Sequence, residues 1–65
     1  GSKIGGQVEI GYNVFLGINT SVNQNIKIES NTVVGSGSVI IKNIPHHSLV
    51  VGNPGKIIKT RLNEN

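Results

Sequence analysis

Aliphatic residues recur at every sixth position, without a miss, from Ile4 through Ile10, Leu16, Val22, Ile28 and Val34 to Ile40. A six-residue beat would walk around a helical cylinder. It is a multiple of the two-residue period of a strand, so all seven side chains can point to one side of an extended chain. Other columns keep the same beat. The residue after the aliphatic one is Gly5, Gly11, Gly17, Asn23, Glu29 and Gly35, and three positions after it stand Asn13, Asn19, Asn25, Asn31 and then Gly37. Asn and Gly most readily adopt positive φ, so they mark corners between short flat runs. Four positions after the aliphatic residue come Val8, Val14, Thr20, Ile26, Thr32 and Ser38, all small or β-branched.

A short run, a corner and another short run, repeated, predict a coil of parallel strands. Three such sides close a turn of about eighteen residues. Ile4 should then stack with Val22 and Ile40, Ile10 with Ile28, and Leu16 with Val34. The pattern therefore predicts an all-β chain: a parallel β-helix of triangular section with about two coils. The beat breaks at Asn43-Ile44-Pro45. Pro45 cannot donate to a ladder, so the chain is expected to leave the prism there. Residues 1–42 read as hexapeptide-repeat coils. Residues 43–65 read as an exit loop, a last strand at Ser48-Leu49-Val50-Val51, a turn at Gly52-Asn53-Pro54 and a basic tail, all within one domain.

Composition adds constraints. Sixty-five residues without a cysteine, with one Tyr and one Phe, allow neither disulfides nor an aromatic core. A chain this short is near the limit of independent stability, and the open ends of a solenoid need caps or partners. A homotrimer, a longer parent with further coils upstream, or both are therefore expected. Half of the positive charges, Lys56, Lys59 and Arg61, fall in the last ten residues. With no basic stripe interleaved with aromatics the chain does not read as a nucleic-acid binder, and no apolar run approaches membrane-spanning length. Thr20 and Thr32 share their column with Val8, Val14 and Ile26, which does not make the threonine ladder of an ice-binding face. The adjacent His46 and His47 cannot by themselves supply three separated zinc ligands, so no metal is expected. They read as exposed loop residues. Nor does GNPGK (52–56) form a triphosphate loop: two residues, not four, separate Gly52 from Gly55, and Ile57 stands where a hydroxyl is needed.

The hexads IGYNVF (10–15), LGINTS (16–21) and VGSGSV (34–39), followed by KNIP (42–45) and GNPGK (52–56), resemble the C-terminal part of the bacterial hexapeptide-repeat acyltransferases. Within that family they are most similar to the sialic-acid O-acetyltransferase and UDP-4-amino-sugar N-acetyltransferase group (the NeuD/PglD type). The resemblance implies a left-handed coil, a hand that spacing alone does not give. It also implies a cytoplasmic homotrimer that binds acetyl-CoA between adjacent prisms and acetylates an amine or hydroxyl of a sugar or nucleotide sugar in surface-glycan synthesis. Neither a covalent acyl-enzyme nor a metal is implied.

By the same resemblance, a histidine roughly two hexads before Gly6 acts as general base. These residues do not include it, so no catalysis is expected from them alone, and the alternative is a non-catalytic trimerising module. Gly6 matches the glycine whose N–H faces the acetyl carbonyl as an oxyanion donor. Ile18 and Ser36 match positions lining the pantetheine channel, and Pro54 lies in the turn beside the adenosine end. Lys56 is placed to meet a phosphate, with Lys59 and Arg61 adding to its field. Gly17, Gly35 and Gly37 read as corners. Gly55, standing where Ala is usual, is expected to remove a methyl from the cofactor's wall.

Overall fold

The computed structural model describes residues 2–60, so Arg61 lies outside the described residues. The chain winds into a left-handed parallel β-helix of very short strands. In order these are β1 (Lys3–Ile4), β2 (Glu9–Ile10), β3 (Phe15–Leu16), β4 (Ser21–Val22), β5 (Lys27–Ile28), β6 (Val33–Val34), β7 (Val39–Ile40), β8 (Ser48–Val51) and β9 (Lys56–Thr60). The first side of the prism is β1-β4-β7, the second is β2-β5, and the third is β3-β6-β8 with β9 added beyond β8. Ile4 lies opposite Val22 and Val22 opposite Ile40. Ile10 lies opposite Ile28, and Leu16 opposite Val34. This is the stacking that the six-residue beat predicts. Among the described residues no helix is long and apolar enough to cross a membrane.

The corners divide the labour between two columns. Asn13, Asn19, Asn25, Asn31 and Gly37 have φ between 54° and 74°, and Gln7 joins them at 57°. Each left-handed residue turns the chain, and in the second coil its N–H reaches the coil before it: Asn25 donates to the Gly6 carbonyl, Asn31 to that of Tyr12 and Gly37 to that of Ile18, at 2.8–3.0 Å. Gly17 and Gly35, read from sequence as corners, are not left-handed. They are small because coils approach closely there. A Cβ on Gly17 would lie 2.5 Å from the Ser36 nitrogen, and one on Gly35 would lie 2.9 Å from a Val51 methyl. The threonine column faces inward. Thr20, Thr32 and Ser38 are fully buried, and the Thr20 hydroxyl donates to the Gly17 carbonyl at 2.7 Å. The Thr32 hydroxyl donates to the Pro45 carbonyl at 3.2 Å and the Ser38 hydroxyl accepts from the Gly52 N–H at 3.1 Å, so none of the three is a stranded polar group.

The coil does not end at residue 42. Ile44 bridges in parallel to Ile28, and Val50 lies opposite Val34. A third coil is therefore completed, shortened by two residues at the corner between the first and second sides. The shortening removes the carbonyl that the Lys27 N–H would otherwise meet, and the Asn43 side-chain oxygen takes its place at 2.8 Å. Asn43→Ala should cost about 1 kcal/mol, read as a lower urea midpoint with unchanged slope.

Burial is graded along the axis. Val22, Ile28 and Val34 in the second coil and Ile40, Ile44 and Val50 in the third form the core, whereas Ile4 is 46% exposed and Ile10 41% at the N-terminal end. The other end is covered. β9 pairs antiparallel with β8, and Ile57 lies opposite Val50. The Gly55 N–H donates to the Val39 carbonyl at 2.7 Å, and a Cβ there would lie 2.9 Å from a methyl of Ile40 and 3.0 Å from one of Val50. The small residue at 55 therefore fits the close packing against Ile40 and Val50.

Candidate functional site

Ile18 and Ser36 stack at the corner joining the third side to the first, tied by the bond from the Gly37 N–H to the Ile18 carbonyl. Both are exposed, Ile18 to 70%. In the third coil β8 reaches the same corner, where the turn at Gly52, Asn53 and Pro54 begins. The Gly52 N–H donates to the Ser38 hydroxyl at 3.1 Å and its carbonyl accepts from the Val39 N–H at 2.9 Å, so the turn is fixed to the coil beneath. Pro54 is exposed, and its peptide bond to Asn53 is cis. Ile18, Ser36 and the Gly52–Pro54 turn therefore form one edge along the prism axis.

From that turn the chain passes into β9, whose first residue is Lys56. Lys56 lines a cleft of about 320 Å³ at the end of the prism with Lys42, Asn43, Ile44, Gly55 and Ile57. Two lysines share this cleft, and among the described residues no carboxylate lines it. The described carboxylates, Glu9 and Glu29, line a different groove. Sequence reasoning missed Lys42. It stands fourteen residues before Lys56, and only the return of β9 brings the two together. Lys59 lies apart from them, opposite Leu49 on β9.

Gly6 is on a different corner, between the first and second sides. It precedes the left-handed Gln7, and its own carbonyl accepts from Asn25. A Cβ at Gly6 would meet nothing within 4 Å, so packing does not demand glycine there. Its N–H has no hydrogen-bond partner among the described residues. One chain thus holds Gly6 apart from Ile18, Ser36 and Lys56. His47 is not a free loop residue: at φ 57° it is a corner, and its N–H donates to the Ser30 carbonyl at 3.1 Å. Among the described residues no group of three His, Cys, Asp or Glu side chains could hold a metal.

A left-handed triangular prism of short parallel strands turned by asparagines has the architecture of the hexapeptide-repeat acyltransferases. The comparisons agree. A Staphylococcus aureus (strain MRSA252) protein named "Putative acetyltransferase" is 41% identical over 64 residues, covering 98% of this chain and 32% of that protein. Among solved structures, the GDP-perosamine N-acetyl transferase of Caulobacter crescentus, in complex with CoA and GDP-perosamine, matches with a TM-score of 0.88 and 34% identity over 89% of this chain and 28% of its own. The serine acetyltransferase of Neisseria gonorrhoeae matches with a TM-score of 0.89 and 35% identity over 98% of this chain and 28% of its own. The chain thus spans about a third of the length of the curated relatives it matches. No family model matches it.

Proposed function

We propose that the chain is the C-terminal β-helical part of an acetyl-CoA-dependent acetyltransferase acting on an amine or hydroxyl of a sugar or nucleotide sugar, in the manner of the sialic-acid O-acetyltransferases and UDP-4-amino-sugar N-acetyltransferases. The observation that carries this reading is the exposed edge of Ile18, Ser36 and Pro54, whose chain runs on into the paired lysines 42 and 56. The pantetheine arm fits the corner edge, where main-chain groups can pair with its amides. The lysines meet its phosphates as point charges. The likeness to a CoA-bound nucleotide-sugar N-acetyltransferase supports CoA as the ligand.

In the proposed reaction the acceptor nitrogen or oxygen attacks the thioester carbonyl carbon. Negative charge gathers on the carbonyl oxygen, where the Gly6 N–H donates to it, and the C–S bond then breaks to release CoA. The acceptor's proton passes to a histidine base supplied by the part of the relatives' length that this chain does not span. Because Gly6 sits on another corner than Ile18 and Ser36, the complete site joins two prisms. The third side offers the surface for this, since Phe15, Val33 and Leu49 stack along it beside the inward column of the half-buried Leu16 and the buried Val34 and Val50. Phe15 is 63% exposed. A homotrimer in the cytoplasm, where acetyl-CoA is available, is the proposed working form. Phe15→Glu should dissociate it, seen as a fall to monomer mass by light scattering.

Lys56→Ala tests the cofactor assignment. In the whole protein it should weaken acetyl-CoA binding about tenfold, the scale of one charge-assisted contact. It should leave the affinity for a CoA fragment lacking the phosphates unchanged. Equal losses for both ligands would remove Lys56 from the phosphate site.

A further inference from the structure

A second groove follows the corner between the second and third sides across all three coils, and the acetyl-CoA assignment does not use it. It encloses about 470 Å³ and is lined by Glu9, Tyr12, Lys27, Glu29, Asn31 and the His46–His47 pair, among others. Its geometry comes from one column. The Asn31 N–H donates to the Tyr12 carbonyl and the His47 N–H to that of Ser30, which places Tyr12, Ser30 and His46 one above another. The middle residue is small, and its hydroxyl is held down by the Tyr12 N–H at 3.0 Å. Tyr12 and His46 therefore stand two strand spacings apart, about 9–10 Å, both lining the groove with Ser30 between them, which leaves a slot between their side chains. A ring stacked between two flat side chains needs about 7 Å, so the slot admits one ring with modest side-chain adjustment.

The walls are set for a ligand. Tyr12 is 72% exposed, presenting its ring without cover. The Nδ1 atoms of His46 and His47 lie 2.7 Å apart, one donating to the other, with the rings edge-to-face, so the corner residue holds His46 in place. Among the described residues the rims carry the Glu9 and Glu29 carboxylates, the Asn31 amide and one lysine, Lys27. Two carboxylates against one cation disfavour an anionic ligand. They provide acceptors for hydroxyl or ammonium donors around a stacked ring.

We infer that this groove is a carbohydrate-binding site, taking a neutral or amino-bearing pyranose between Tyr12 and His46. The sugar's apolar C–H face lies on the Tyr12 ring while its hydroxyls or amine reach Glu9 and Glu29. The inference stands on the slot itself and holds whether or not acetyl-CoA binds at the lysine cleft.

Saturation-transfer NMR on the whole protein tests it, with methyl glucopyranoside, glucosamine and glucose 6-phosphate as probes. Methyl glucopyranoside and glucosamine should bind, glucosamine more tightly, and glucose 6-phosphate more weakly than either. Because Tyr12 is exposed, Tyr12→Ala should leave the fold intact and reduce glucosamine affinity about tenfold, as loss of one stacking partner would. Glu29→Gln should remove the preference for the amine. Absence of binding by all three sugars, or binding that Tyr12→Ala and Glu29→Gln leave unchanged, would overturn the inference. Neither result would bear on acetyl-CoA binding, which Lys56→Ala reads separately.

Discussion

Ile28→Ala should lower the unfolding free energy by about 3 kcal/mol, within the 2–5 kcal/mol range for truncating a buried isoleucine. Ile28 is fully buried at the middle of the second side, with Ile10 in the coil before it and Ile44 in the coil after it. Ile44 cannot easily collapse into the space, because it is held by inter-coil hydrogen bonds from the Glu29 N–H to its carbonyl and from its own N–H to the Lys27 carbonyl. The transfer loss and the cavity therefore both count. A stability of 5–15 kcal/mol is typical of whole domains, so the loss should be plain in a urea titration. The matching control is Ile41→Ala, at an exposed position, which should stay within about 0.5 kcal/mol. Similar losses for the two would mean that the stacked column is not the core.

The second large effect concerns the chemistry. With the Gly6 N–H as the proposed oxyanion donor, Gly6→Pro should reduce kcat of the whole protein by about a hundredfold to a thousandfold, the usual result of removing one such donor. The substitution is chosen for its geometry. Gly6 precedes Gln7, whose φ of 57° makes the corner resemble a turn with a left-handed third residue, and proline is well accepted at the position before it. Open space surrounds the Cβ, and the N–H that proline removes has no partner among the described residues. Stability should therefore change little while turnover falls. Gly6→Ala, which keeps the N–H, should retain most of the activity. Equal turnover by the proline and alanine variants would take Gly6 out of the mechanism.

Most of the coil was legible because stacking imposes a strict beat. Ile4, Ile10 and their successors had to repeat at six for the same side chains to meet on successive coils, and asparagine had to recur where the chain turns through positive φ. The third coil was obscured by a local economy. Leu16 to Val34 spans eighteen residues but Val34 to Val50 spans sixteen, because Ile40 is followed by Ile44 after four residues instead of six. Read as a broken period this looked like an exit, although Asn43 only exchanges a backbone acceptor for a side-chain one. The same shift hid the corner role of His47, which stands sixteen residues after Asn31. The glycine column was misassigned for a different reason: sequence shows that a residue is small, and not whether φ or a neighbouring coil requires it. Gly17 answers to Ser36, and Gly37 to its own φ of 74°. Lys42 was out of reach of local pattern, since its partner arrives on an antiparallel strand that no hexad predicts.

The central claim is that this prism binds acetyl-CoA along the Ile18–Ser36 edge with its phosphates at the lysine cleft. Calorimetric titration of the whole protein with acetyl-CoA tests it most directly. The account predicts saturable binding at one site per chain, with a dissociation constant below about 1 mM, the upper end of ordinary enzyme affinities. It also predicts a marked loss in the Lys42→Ala, Lys56→Ala double variant. No detectable heat from the folded wild-type protein, or the same affinity in the double variant, would contradict it.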